Sequence, residues 1–205
     1  MHNRKVQFSI ESLEPKTFKN LINQGSVFLQ SKNITNSKNE IEWFLQDLYQ
    51  FNKANLYKHS NTLISPQYYN IINKFIYHRS TGRPFQYLLK KASFYGRDFI
   101  VNSNVLIPRP ETEVLIDIIK NEKYEKLLDI GTGSGAIAIT ANLENIAQAI
   151  DAIDIDIKIL RIAKENQVRL KASKVNFFKL NILKNIPKSK YDIIVSNPPY
   201  VSFKE

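Results

Sequence analysis

Leu128-Asp129-Ile130-Gly131-Thr132-Gly133-Ser134-Gly135-Ala136-Ile137-Ala138 is the stretch that decides the fold. A buried strand, Lys126 to Ile130, runs into glycines at three alternate positions, and Ala136 to Leu143 follows as an apolar helix. Glycine lets the backbone turn tightly and approach a ligand with no Cβ in the way. Toward the C-terminus the alternation continues. A second strand, Gln148 to Ile153, ends at Asp154 and precedes a helix over Ile157 to Leu170. A third, Val175 to Leu180, ends at Asn181, and a fourth, Tyr191 to Ser196, ends at Asn197. Strands alternating with helices predict a parallel α/β sheet.

In such a sheet ligands sit outside the carboxyl ends of the strands, which here are Gly131–Gly135, Asp154, Asn181 and Asn197. Asp154 follows Gly135 at the spacing that places a carboxylate on ribose hydroxyls, so a ribose-bearing cofactor is expected. Dinucleotide loops run G-x-G-x-x-G, which rests a pyrophosphate on the helix N-terminus. This loop is one residue tighter, G-x-G-x-G after Asp129. That spacing is similar to the donor loop of S-adenosylmethionine-dependent methyltransferases, which implies S-adenosyl-L-methionine as the cofactor.

The fourth strand ends in Asn197-Pro198-Pro199-Tyr200. Prolines fix φ and donate no backbone hydrogen bond, so the strand stops in a stiff, extended turn. The Asn197 side-chain oxygen and the Pro198 carbonyl can grip both N–H bonds of an NH2 group, and Tyr200 can pack on its flat face. That grip counters delocalisation of the nitrogen lone pair and aims it at a methyl group, so catalysis is orientation and electrostatics. No general base is required before transfer, and His2, His59 and His78 all lie in the N-terminal part of the chain. Adenine N6 and a glutamine side-chain amide fit this tip equally.

Upstream, residues 1–83 read as a small helical bundle. Thr17 to Gln30 carries Phe18, Leu21, Ile22, Val27 and Phe28, interrupted by Gly25. Ser37 and Glu40 have capping-box spacing ahead of Ile41, Phe44, Leu45, Leu48 and Phe51, and Trp43 is expected to anchor the packing. Ser65-Pro66 opens a third helix through Tyr68, Ile71, Ile72, Phe75 and Ile76, which Gly82 closes. From 84 to 108 the composition predicts a β-hairpin linker, Pro84 to Leu89 pairing with Phe94 to Val101 around Gly96. Pro110, Glu111 and Glu113 read as a helix start, with Val114, Leu115, Ile118 and Ile119 as its buried face. Residues 109–205 then form the third region.

The 205 residues suffice to bury a core and contain no cysteine, which excludes disulfides and thiolate metal sites. Neither a signal-peptide pattern nor a membrane-length apolar run is present, so a cytoplasmic location is the expectation. Net charge is +10; residues 1–90 carry 12 Lys and Arg against 5 acidic residues, residues 91–205 carry 17 against 14. That excess is compatible with RNA or ribosome proximity through the first region and equally with a chain rich in lysine throughout.

Four segments together carry a resemblance: Gly82-Arg83-Pro84-Phe85-Gln86-Tyr87, Val105-Leu106-Ile107-Pro108-Arg109-Pro110-Glu111-Thr112-Glu113, Leu128 to Ala138, and Ser196-Asn197-Pro198-Pro199-Tyr200-Val201. On them the chain resembles the N5-glutamine methyltransferases of class 1 peptide chain release factors. The resemblance implies a helical domain that recognises the release factor, a β-hairpin, and a Rossmann-like α/β methyltransferase domain of seven strands. It implies methyl transfer to the glutamine of a GGQ loop. By position, Gly131, Thr132, Gly133, Ser134, Gly135, Asp154, Ile182 and Asn197 would contact the donor, and Asn197, Pro198, Pro199 and Tyr200 the glutamine. The sister enzyme that modifies a ribosomal protein glutamine shares the tip. Asn181 stands where the family usually has an acidic residue, and Lys90 where it usually has glycine.

The sequence given stops at Glu205, where the family continues through three more strands, so a truncated form is the expectation and about four strands are expected here. The strand before Asn197 would then have one edge unpaired. Two other functions compete with protein methylation: a nucleic-acid adenine methyltransferase, favoured by charge and tip, and an inactive fragment that binds a donor or partner.

Overall fold

The computed structural model describes Ser9 and residues 16–198. Two compact units divide between Leu89 and Lys90.

The first unit is helical. Helix α1 (Phe18–Gln30) is capped by the Thr17 hydroxyl, which accepts from the Asn20 N–H at 3.2 Å, and it runs through Gly25 without a break. Helix α2 (Ser37–Tyr49), a short α3 (Lys53–Lys58), α4 (Tyr69–Ser80) and α5 (Phe85–Leu89) follow. Phe18, Leu21, Leu29, Ile41, Phe44, Leu45, Leu56, Ile72, Phe75 and Ile76 form its core. Phe44 and Phe75 stack at 3.9 Å, each fully buried ring contributing about 2–3 kcal/mol by area alone.

Several sequence expectations for this unit are corrected. Phe85–Leu89 is a helix, not a hairpin strand. Pro84 precedes its first turn, and Phe85, Leu88 and Leu89, spaced i, i+3, i+4, pack on the helical core, which overrides the β preference of aromatic residues. Trp43 is 48 % exposed beside Phe85 and does not anchor the core. Ser37 makes no capping box. Its hydroxyl donates to the Ser26 carbonyl at 3.1 Å, and Glu40 pairs with Arg79 through both carboxylate oxygens, at 2.5 and 3.1 Å. Ser65 makes no capping bond either; Pro66–Tyr68 form a single 3-10 turn ahead of α4.

The second unit opens with an antiparallel hairpin, β1 (Lys91–Phe94) and β2 (Arg97–Ile100). Its turn, Tyr95-Gly96, has positive φ at both residues (49° and 70°), which matches the right-handed twist of the flanking strands. A 3-10 turn at Pro110–Thr112 leads into α6 (Glu113–Ile119). Then come β3 (Tyr124–Ile130), α7 (Ala136–Leu143), β4 (Ala147–Asp154), α8 (Ile157–Leu170), β5 (Val175–Lys179) and β6 (Ile193–Ser196).

The four long-range strands form a parallel sheet in the order β5-β4-β3-β6. Leu127, Ile150, Ala152, Val175, Phe177 and Val195 bury one face of it in a common core with Ile116 and Ile119 of α6 and the apolar residues of α7 and α8. Val114 and Ile118, expected in the buried face of α6, are instead 56 % and 68 % exposed. A seven-residue helix has only two turns, and its inward line runs through 116 and 119. Among the described residues β6 pairs only with β3, so the strand that carries the Asn-Pro tip lies at the sheet edge, with Ile194 more than half exposed. No helix among the described residues is long and apolar enough to cross a membrane.

Candidate functional site

The carboxyl ends of β3, β4, β5 and β6 meet around a cavity of about 520 Å³, within the range of small-molecule sites. Its walls are mostly apolar: Val105 and Leu106 from the segment after the hairpin, Ile130, Ile153, Ile155 and Ile159 from the sheet and α8, and Leu180, Ile182 and Leu183 after β5. The polar contributions are the Gly131 and Gly133 backbone, Asp154, Asn181, Ser196, Asn104 and Asn197. A second cavity of about 50 Å³ adjoins the glycine loop and is lined by Phe94, Ile107, Pro108, Thr112, Thr132, Ser134, Ile137 and Asn197, among others. Asn197 is common to both.

The glycine loop is held open by the sheet. The N–H groups of Gly131 and Thr132 both donate to the Ile153 carbonyl, at 2.9 and 3.0 Å, and Gly133 N–H donates to Asp154 Oδ2 at 3.1 Å. Gly131, Gly133 and Gly135 all have positive φ. Gly135 differs from the other two because it lines neither cavity. It begins α7, and an added Cβ would lie 2.9 Å from Ile139 and 3.1 Å from Phe177, so its smallness serves packing.

Asp154 is buried, and its Oδ1 accepts from Ile155 N–H at 2.8 Å. A carboxylate has about four acceptor sites, so capacity remains for the hydroxyls of a ribose. Asp129 lies deeper, fully buried under the loop. Its Oδ2 accepts from the Thr132 hydroxyl at 2.7 Å, while Oδ1 has no hydrogen-bond partner among the described residues. Burial pushes the Asp129 carboxyl up to about 6, with Asp154 adding repulsion. The Thr132 bond and the N–H of Ala138 in the first turn of α7 oppose this, the latter as an attraction short of full bonding geometry.

Asn166, on α8, has no motif around it and escaped the sequence reading. Fully buried, it donates through Nδ2 to the carbonyls of Ser134 and Ile100, both at 3.0 Å, and accepts from Ile100 N–H at 2.7 Å. It thus ties the glycine loop to the end of β2, from which the chain passes into the cavity wall at Asn104–Leu106. The available signal was an amide on the otherwise apolar face made by Leu160, Ile162 and Ala163.

The base of the tip is anchored from below. Ahead of β6, the Tyr191 hydroxyl donates to Asp151 at 2.9 Å, alongside Lys126 at 2.9 Å and Asn176 at 3.0 Å. Burial alone would raise the Asp151 carboxyl, but these three donors outweigh it and hold it below the ordinary range. Burial and the same bond push the Tyr191 phenol up to about 12. At the upper end the Ser196 hydroxyl donates to the Ile130 carbonyl, and Asn197 Nδ2 donates to the Thr112 hydroxyl at 2.9 Å.

The structure therefore places Gly131, Gly133, Asp154, Ile182, Asn197 and Pro198 around the larger cavity, and Thr132 and Ser134 around the smaller. Pro199 and Tyr200 lie outside the described residues. The residues present suit an adenosine-bearing donor: apolar walls for a base, a buried carboxylate for a ribose, and a backbone without Cβ atoms for close approach.

Residues 110–205 match the methyltransferase small domain, which makes the sheet unit a methyltransferase domain, while residues 20–89 match the PrmC N-terminal domain. The release factor glutamine methyltransferase of Leptospira interrogans is 33 % identical over 199 residues, 93 % of this chain and 70 % of that protein. The chain belongs to the release factor glutamine methyltransferase family. Proteins of that name from Fusobacterium nucleatum and Bacillus subtilis are 34 % and 45 % identical, over 100 % and 60 % of this chain. The chain spans only 58 % and 46 % of their lengths, about half.

Proposed function

We propose that this protein transfers a methyl group from S-adenosyl-L-methionine to the side-chain amide nitrogen of a glutamine, in the GGQ loop of a class 1 peptide chain release factor. The observation that carries the reading is the position of Asn197: a side-chain amide, held at the end of β6, in the wall of the cavity that suits the donor.

When bound, the donor supplies a methyl carbon on a cationic sulfur, open to in-line displacement. Asp154 would accept from its ribose hydroxyls, the Gly131 and Gly133 backbone would allow its close approach, and Ile182 with the other apolar residues would hold its base. Asn197 Oδ1 and the Pro198 carbonyl accept from the two N–H bonds of the substrate amide and direct its lone pair at the methyl carbon. Transfer would form a C–N bond while the C–S electron pair stays with the departing sulfur, and the extra proton on nitrogen would pass to water. The work of the residues is alignment and charge complementarity, effects that together account for several powers of ten in rate. The positive excess of residues 1–90 supports general attraction to the RNA-rich surroundings of such a substrate.

The test offers the purified chain a donor labelled on the methyl group together with a class 1 release factor, the same factor with its GGQ glutamine changed to alanine, a ribosomal protein mixture, and adenine-containing DNA and RNA. Label on the intact release factor, lost with the alanine form, is the expected result. Label confined to nucleic acid assigns the chain to adenine methylation, label confined to ribosomal protein to the sister activity, and donor binding without label anywhere to a binding role.

A further inference from the structure

The run Ile107 to Glu113 enters the chemistry above nowhere, although it belongs to one of the four segments that carry the resemblance. We propose that Thr112 is a positioning residue for the transfer: its hydroxyl holds the Asn197 amide with Oδ1 turned toward the substrate nitrogen. The inference rests on the reading of Asn197 as the substrate-gripping amide.

Only one end of an Asn amide accepts hydrogen bonds; the other only donates. A substrate NH2 must meet Oδ1, which leaves Asn197 Nδ2 needing an acceptor on its far side. The Thr112 hydroxyl is that acceptor, at 2.9 Å. The smaller cavity that they share is lined by the apolar Phe94, Ile107, Pro108 and Ile137 and by the hydroxyl residues Thr112, Thr132 and Ser134; of these hydroxyls it is that of Thr112 that accepts from Asn197, while that of Thr132 is given to Asp129. Without the hydroxyl, the amide in this orientation loses the acceptor of its Nδ2, and its alternative orientation presents N–H to N–H at the substrate.

The motif is built to fix that hydroxyl. Pro110 starts the turn, Thr112 N–H donates to the Arg109 carbonyl at 3.0 Å, and Glu113 N–H to the Pro110 carbonyl. The next side chain, Glu113, accepts from Tyr95 N–H at 2.9 Å, at the turn of the β1–β2 hairpin where φ is positive. One short turn therefore braces the hairpin through Glu113 and the tip through Thr112. Thr112 lines the smaller cavity and not the larger, so its loss leaves the donor cavity walls in place.

Thr112→Val keeps the shape of the side chain and removes the hydroxyl; Thr112→Ser keeps the hydroxyl. In the Val variant kcat for methyl transfer is expected to fall about 10- to 100-fold, with the dissociation constant of S-adenosylhomocysteine changed less than about twofold. The Ser variant is expected to recover to within about threefold of the parent. Independently of turnover, the nitrogen-15 signal of the Asn197 side-chain NH2 should exchange slowly with water in the parent chain and faster in the Val variant. Unchanged kcat in the Val variant overturns the proposal, as does unchanged Asn197 exchange. If the parent transfers no methyl group, the proposed function fails, and the exchange measurement alone then decides whether Thr112 holds the amide.

Discussion

Among the described residues of the helical unit the buried polar side chains are Thr17, Ser26, Ser37, Glu40 and Glu42, and their bonds join helices or close turns: Ser37 to Ser26, Glu40 to Arg79, and Glu42 to Tyr57. In the sheet unit Asp129, Thr132, Ser134, Asp154 and Asn166 crowd around a single glycine loop, and one of them, Asp129, keeps a carboxylate oxygen without a hydrogen-bond partner among the described residues. Buried polarity in the first unit specifies how helices pack. In the second it is concentrated where the strands end, with one carboxylate held against its solvation preference, an arrangement that costs stability and shapes a site.

Three substitutions separate the two units. Gly135→Ala is expected to have the largest effect, about 4 kcal/mol, because it combines a φ of +82° with a Cβ pressed on Ile139, Phe177 and Ala163. Urea unfolding followed by the probes of each unit should show the sheet transition shifted and the helical one unmoved. A common shift of both transitions would break the comparison.

Glu40→Ala should cost the helical unit about 3 kcal/mol by leaving the mostly buried Arg79 guanidinium without its carboxylate. Combining it with Arg79→Met should recover a large part of that loss. Donor affinity is expected to stay unchanged in both variants, since the cavity is made of second-unit residues alone.

Asp129→Asn should produce a smaller and pH-dependent effect. The folded carboxyl is raised from 3.8 to about 6, so the folded state holds more protons than the unfolded state between those values. Wild-type stability contributed by this group is therefore complete below about pH 4 and lost as pH rises through about 6. Relative to the parent, the Asn variant should gain roughly 2–3 kcal/mol between pH 4 and pH 7, read from paired unfolding curves. A gap independent of pH would show that Asp129 carries no such burden.

What the sequence made legible follows the same division. The βα alternation, the glycine loop, Asp154 and Asn197 were readable because each has a fixed period or a strand-end position. Phe85–Leu89 was misread because aromatic residues favour strands locally, and only the packing of Phe85, Leu88 and Leu89 on a distant core turns them into a helix. Trp43 was misjudged because size suggests burial, whereas its helix presents Ile41, Phe44 and Leu45 to the core. Asn166 and Arg79 act on partners 32 to 66 and 39 positions away, and no local pattern encodes such bonds. Thr112 stands inside a recognisable motif, yet its partner is 85 positions away and only the folded sheet brings the two together.

In the proposed function the strand ends carry two separable tasks, holding a donor and gripping an acceptor nitrogen. Comparing methyl transfer with S-adenosylhomocysteine binding in Asn197→Ala tests it most directly. Transfer is predicted to fall at least about 100-fold while the dissociation constant rises less than about threefold. An Asn197→Ala chain that transfers at the parent rate would contradict the account.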